Sequence, residues 1–430
     1  METLQVIRSR QFSKLWIAQV LSLIAQNFLN FALIIRVFDL AQGTHFANVS
    51  VSLVVLAFGI PSVFFAAVAG VYVDHWDRRL VMVGANITRA LLVLAYPLIE
   101  KQFILVLVLT FLVSTATQFF TPAEAATIPL VVKRKLLIAA NSLFVLTFYV
   151  SFVVGYSLAA PVIKFAGSTS TYYITALLFA TATLFSYRLP KHKVADAKKL
   201  PVRDVFRVTK HELDENRRTI LRNRNLYFPI LQLSLIQALI GIVLALAPAL
   251  SLAVLKLPLE DASHFLIIPT GIGLVIGVAL VAQLAKRASK QTIISAGFVV
   301  LGAALTALGL TGQLFRRHNG HLIVPYQEIT LIVGGLMLIL GLMNAIVSVS
   351  AQTILQESSP DAERGRIFGA LNMMINLAAT VPILFAGVLT DLLHSVTRVI
   401  TAVGVLLLIF AIAQMVYLHR HTHVEARPQP

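Results

Sequence analysis

The sequence predicts an all-α membrane protein in which twelve transmembrane helices form two pseudo-symmetric six-helix bundles. Three observations carry that prediction. Of 430 residues, 58% are hydrophobic and only 13% are charged, with a mean hydropathy of +0.84. Apolar runs of about 20 residues, the length that crosses a hydrocarbon core as a helix, recur along the whole chain. Reading runs of that length leaves room for one large loop, and the halves on either side of it repeat each other's landmarks. No soluble enzyme domain fits into what remains.

Charge supports the same topology. The chain carries 35 Lys and Arg against 19 Asp and Glu, a formal +16 that on its own would be compatible with nucleic-acid binding. The distribution is that of a membrane protein instead: with the N-terminus inside, 26 of the 35 fall on cytoplasmic segments, 6 on outer loops, and Arg36, Arg89 and Arg188 in or at the ends of helices. Both termini are therefore expected in the cytoplasm. The first apolar run begins near Phe12, after Arg8 and Arg10, and continues past Leu33 without a small-residue cleavage site, so it reads as an uncleaved first helix. Cysteine is absent, which excludes disulfides, thiolate metal sites and cysteine nucleophiles.

Helix one, about 12–40, carries Gln19, Gln26, Asn27 and Asn30 among apolar residues. In hydrocarbon such amides need partners, so they face the bundle interior, either as interhelical hydrogen bonds or as part of a cavity wall. Arg36 and Asp39 close this helix and are expected to form a local ion pair. Apolar runs over 47–73 and 80–99 give helices two and three, with Asp74, Asp77, Arg78 and Arg79 packed into the turn between them. Helix three then holds Arg89 well inside the apolar run, where a guanidinium costs about 3 kcal/mol on insertion scales and needs a return. That return is a structural pairing, with Asn86 or a neighbouring helix, or a role in transport. Helix four, from Phe103, contains Glu124 and is expected to end at Pro122 and Pro129, since proline removes a donor and disfavours helix before it. Lys133, Arg134 and Lys135 follow on the inside. In helix five, Gly155 and Ala159 lie four apart with Pro161 beyond, a spacing that allows close helix approach.

From Lys191 to Arg224 the composition changes abruptly, to eleven basic and five acidic residues. Val202, Val205, Phe206, Thr209, Leu213 and Ile220 recur at helical spacing, so part of this linker reads as an amphipathic helix on the inner leaflet. The domains are thus 1–190, a first bundle; 191–224, the linker; 225–418, a second bundle; and 419–430, a cytoplasmic tail. Ile60-Pro61 ahead of Gly70 matches Ile268-Pro269 ahead of Gly277, and Pro129 to Asn141 matches Pro360 to Asn372 in spacing. The longer outer loop FRRHNGHLIVPYQE supplies part of an insertion in the second half. GIGLVIG in helix eight has neither the third glycine nor the preceding strand of a dinucleotide fingerprint, so Gly273 and Gly277 read as packing glycines. Asn372 and Asn376, one turn apart on helix eleven, are cavity or interhelical amides. His419, His421 and His423 alternate in the tail, where a specific metal site is not expected. No Walker loop, nucleophile elbow or zinc helix is present, so neither chemistry on a substrate nor a cofactor is expected.

Several of these stretches resemble one family. GVYVDHWDRR, with glycine four residues before Asp74 and paired arginines after it, resembles the loop signature of the major facilitator superfamily. His75 and Asp77 replace the family's usual basic residue and glycine there, and Asp-Arg-Arg is similar to its macrolide-efflux branch. NITRALLVL, QFFTPAEAATIPLVVKRKLLIAANSLF and QESSPDAERGRIFGALNMMINLA resemble the same branch, and GYSLAAP partly resembles an antiporter signature. The arginine that many proton-driven exporters carry in helix four is missing. The resemblance implies alternating access between two bundles, gated by Gly70, Asp74, Arg78, Arg79, Arg364 and Arg366, with Asp74 set against the start of helix eleven. It also implies export of an amphipathic, drug-like molecule by a bacterial inner-membrane monomer, among membrane lipids and without nucleic acid. Gln26, Asn27, Asn30, Arg36, Asp39, Arg89, Glu124, Asn372 and Asn376 are the candidates for a substrate cavity or for coupling to a proton or other ion gradient. A lysolipid or siderophore transporter of the same fold, and a non-transporting membrane sensor or scaffold, are the alternatives.

Overall fold

A computed structural model describes residues 2–133, 136–191, 224–312, 317–318, 321–322, 326–358 and 364–425. A short α1 (Glu2–Ile7) precedes α2 (Arg10–Ala41) and α3 (Ala47–His75). Then follow α4 (Arg78–Val93), the single turn α5 (Tyr96–Ile99), α6 (Phe103–Val131), α7 (Leu137–Ala166) and α8 (Ser168–Tyr187). Beyond the linker come α9 (Arg224–Leu250), running into a π turn at Ser251–Leu255, then α10 (Leu259–Leu284) and α11 (Lys290–Thr311). The last three are α12 (Tyr326–Ser358), α13 (Arg364–Leu393) and α14 (Val396–Glu425). A two-residue ladder pairs Arg317 with Leu322 and His318 with His321. The amphipathic helix expected within the linker lies outside the described residues, as do Arg134, Lys135 and Pro360.

Among the described residues, ten helices are long and apolar enough to cross a membrane. Of the two further long helices, α8 falls short by composition, while the described side chains of α13 give an apolar stretch over Leu377–Leu393. In α8 the cause is its hydroxyls, which the helix itself satisfies: Thr175, Thr183 and Ser186 donate to the carbonyls of Thr171, Phe179 and Ala182 at 2.7–2.9 Å.

Prolines do not stop these helices as expected. α6 runs through both Pro122 and Pro129, and α7 runs through Pro161. Neighbouring helices and hydroxyl side chains re-satisfy the backbone inside a membrane bundle, so proline is tolerated there. Terminators are left-handed residues instead: Gly167, at φ +80°, closes α7, and Lys256, at φ +57°, closes the π turn. The helix holding His419, His421 and His423 continues to Glu425, so the expected tail begins as helix.

The first bundle packs α2 against α3, α7 and α8, and α6 against α3 and α4. The second packs α12 against α9, α10 and α11, and α11 against α14. Close approach at small residues holds these pairs, as expected where lipid tails supply no hydrophobic drive. A Cβ on Gly273 would lie 2.1 Å from the Leu338 carbonyl oxygen, and one on Gly155 would lie 2.6 Å from the Asn27 Cβ. The halves meet along α3 with α13 and α9, and along α7 with α10. Counting turns along the chain defines two ends of the molecule, a terminal end that carries both termini and the linker, and a far end.

Candidate functional site

A cavity of about 250 Å³ lies between the halves. The first half supplies an aromatic wall, Phe31 from α2 and Phe148, Tyr149, Phe152 and Tyr156 from α7. The rings support each other: Phe31 and Tyr156 centroids lie 5.3 Å apart, and Phe152 and Tyr156 lie 4.5 Å apart. The second half supplies aliphatic side chains of α9, α10 and α12, broken by Gln237, Thr270 and Asn344. Among the described residues of this wall there is no Asp, Glu, Lys, Arg or His.

None of the candidates whose side chains are described lines this cavity, and most of those are held within the first half. Gln26 Nε2 donates to Asn30 Oδ1 at 2.8 Å, and Thr117 of α6 donates to Gln26 Oε1 at 3.0 Å. Asn27 donates to the Leu23 carbonyl at 2.9 Å. Arg36 pairs with Glu100 at 3.2 Å, not with Asp39 as expected, because the chain brings Glu100 at the end of α5 back to the far end of α2. Asp39 is exposed. Asn372 and Asn376 lie on α13, and their side chains are outside the described part.

Arg89 is 1% exposed and enclosed by four elements. It donates to Asn86 on its own helix and, at 2.8 Å, to Ser22 Oγ of α2. Its guanidinium stacks over Phe120 of α6 at 4.7 Å and Phe179 of α8 at 4.5 Å. Glu124 of α6 is also buried and acts on Arg89 through charge, while no ion pair joins the two. Glu124 Oε1 and Arg89 Nε have no hydrogen-bond partner.

The turn between α3 and α4 is tied to its own bundle. Asp77 caps α4, accepting from the Arg79 N–H at 3.0 Å. Arg78 donates to the Ala126 carbonyl of α6 at 2.7 Å, and Arg79 lies 4.2 Å over the ring of Tyr187 at the end of α8. Gly70 has open space around the Cβ position. Asp74 sits in the last turn of α3, and Arg364 and Arg366 in the first turn of α13, with side chains outside the described part.

A central cavity between two helical halves is the geometry of a transporter. The model of the Major Facilitator Superfamily matches residues 15–381. The chain belongs to this superfamily. As a facilitator-type transporter rather than an enzyme, it is similar to macrolide efflux protein A of Streptococcus pyogenes, at 25% identity over 390 residues and 89% of each chain. It is also similar to the uncharacterized transporter YfiS of Bacillus subtilis, at 22% over 358 residues, covering 81% of this chain and 79% of that one. Among solved structures, the nucleoside transporter NupG aligns over 96% of this chain and all of its own, with a TM-score of 0.66 and 16% identity. A bacterial homolog of the human lysosomal transporter Spinster, inward-facing and unoccupied, aligns over 97% and 99%, with a TM-score of 0.71 and 12% identity.

The aromatic face of this transporter's cavity was missed from sequence, although its signal is present. Phe148, Tyr149, Phe152 and Tyr156 recur on one face of α7, and Gln237 and Asn344 are amides within apolar helices, the sign that singled out Gln26 and Asn27.

Proposed function

We propose that this protein is a secondary active exporter of an uncharged amphipathic small molecule, working by alternating access from the inner membrane of a bacterium. The observation that carries the reading is the cavity, whose aromatic wall faces an aliphatic wall bearing a few uncharged hydrogen-bonding groups. Burying a charged ligand there would leave its charge uncompensated, whereas rings and amides match an apolar body with hydroxyl or carbonyl substituents. At about 250 Å³ the cavity lies just below the usual range for ligand sites, about 300–1,000 Å³, so a drug-sized cargo requires the halves to part further. Macrolide efflux by the streptococcal relative agrees with export of such a molecule. The excess of basic residues on alternate loops supports cytoplasmic termini, with the terminal end inside. A lysolipid is the second reading, because the same apolar wall accepts an acyl chain.

The test is counterflow in proteoliposomes with a labelled macrolide, a lysophospholipid, a hydroxamate siderophore and a dicationic dye. Macrolide exchange is expected, with apparent affinity weakened about tenfold, or ~1.4 kcal/mol, by Tyr156→Ala and by Asn344→Ala. Exchange of the lysophospholipid alone selects the second reading. Faster exchange of the dicationic dye than of any uncharged probe, or binding of every probe without flux, overturns the proposal.

A further inference from the structure

Helix α3 begins without a cap of its own. Its N-cap position is Phe46, which makes no side-chain cap hydrogen bond. The first helical bond is the Ser50 N–H to the Phe46 carbonyl at 2.9 Å, and the Phe46 N–H reaches Thr44 Oγ1 at 3.3 Å. The N–H groups of Asn48 and Val49 are among those a helix start always leaves over, and a side-chain oxygen at the N-cap normally takes them. Here that oxygen comes from the other half of the molecule. Asp391, two residues before the end of α13, accepts from the Val49 N–H at 2.9 Å through one carboxylate oxygen. Its other oxygen accepts from the Asn48 N–H at 3.2 Å and from Asn48 Nδ2 at 2.7 Å. Beside it, Gly387 lets α13 meet α3 closely enough that an added Cβ would lie 2.3 Å from Ser52 Oγ.

We propose that Asp391 is the far-end gate latch of the transport cycle: a carboxylate of the second half caps the start of α3 in the first, and opening of the far end requires it to let go. The bonds cross between the two bodies that alternating access moves apart, so they exist in one state and are lost in the other. That difference is what lets a contact bias a two-state equilibrium. A carboxylate at a helix start also gains from the partial positive charge there, which the uncharged isostere does not. Another polar bridge between the halves at this end, Lys164 of α7 with Asp261 of α10, is an ion pair of partly exposed side chains, a class that contributes little. Of the two, Asp391 is the one that caps a helix start and so serves as the latch, with Lys164 accessory to it.

This inference rests on the alternating-access reading, but it is read out without substrate, so failure of the transport screen and failure of the latch are separable. The chain has no cysteine, which allows spin labels at Gln42→Cys and Arg398→Cys, exposed sites flanking the far end in opposite halves. Distances measured by double electron–electron resonance in lipid nanodiscs are expected to show one short population in the parent. Asp391→Ala should move the ratio of long to short distances about 5- to 30-fold, the change expected from loss of one helix cap. Asp391→Asn should fall between the two, since one acceptor oxygen survives and the charge does not. A second variant guards against simple misfolding. Phe46, at 67% exposed, replaced as Phe46→Asp, gives α3 a cap in its own chain segment that competes for the same N–H groups. It should lengthen the distance while leaving thermal stability unchanged or higher. A shift with Asp391→Ala no larger than that with Lys164→Ala, or an unchanged distribution with Phe46→Asp, overturns the latch.

Discussion

Arg89 shows how a buried charge in a transporter can serve the bundle instead of the cargo. Its guanidinium satisfies Ser22 and Asn86 and lies between the rings of Phe120 and Phe179, so α2, α4, α6 and α8 all depend on it. Glu124 is buried beside it with an unpartnered oxygen. Removing the arginine alone strands that carboxylate in hydrocarbon and orphans two polar groups, each worth about 1–3 kcal/mol. Arg89→Met is thus expected to lower the unfolding temperature in detergent sharply. Glu124→Gln should have a small effect by itself, and the double variant should recover part of the loss, with a coupling of about 0.5–3 kcal/mol. Additive effects would show that the two side chains do not interact. Arg36 makes the contrasting case: partly exposed and paired with Glu100 near the far end, it sits in a setting where an ion pair contributes about 0–1 kcal/mol.

Helix pairs here are fixed by small residues, and the cost of filling them differs with position. At Gly273 a side chain would meet the backbone of α12, with an added Cβ 2.1 Å from one carbonyl oxygen and 2.8 Å from the Leu342 nitrogen. Backbone cannot swing aside, so Gly273→Val is expected to destabilise by about 1–3 kcal/mol, read as thermal unfolding of the purified protein. Gly70→Ala meets nothing within 4 Å and should stay within about 0.5 kcal/mol of the parent. A neutral Gly273→Val would show that α10 and α12 do not pack as described. Hydropathy and small-residue spacing made these helices and their packing glycines legible in the sequence. Helix ends were less so: Pro122 and Pro129 look like terminators until a surrounding bundle is present to satisfy the backbone they disturb. The cavity was least legible, because its wall combines Phe148 and Tyr156 with Gln237 and Asn344, residues far apart in the chain that only tertiary packing assembles. Likewise the partner of Arg36 is Glu100, 64 positions away, whereas sequence proximity points to Asp39.

At the scale of the whole molecule, orientation and gating are linked. We propose from the charge distribution that the terminal end faces the cytoplasm, so Lys191→Cys should react with an impermeant maleimide only from inside, and Lys101→Cys only from outside; the reverse pattern would invert the topology. With that orientation, the proposed Asp391 latch closes the outside. Helices α3 and α13 run antiparallel and pack together, and each carries an aspartate near its end: Asp391 at the far end of α13 and Asp74 at the terminal end of α3. Loop resemblance implies a place for Asp74 against the start of α13, and we propose that this contact belongs to the state closed on the inside, the opposite phase to the Asp391 latch. If so, the two acids oppose each other in one equilibrium, and their removal must act with opposite sign. Asp74→Asn alone would be hard to see in a protein already latched outside. In an Asp391→Ala background, where the far end opens, adding Asp74→Asn should return the Gln42→Cys and Arg398→Cys label pair toward its short distance. The expected change is about two- to fivefold in the population ratio, the size of a carboxylate's interaction with a helix start. A long-distance population that stays the same or grows would remove Asp74 from the inner gate and leave the outer latch standing on its own.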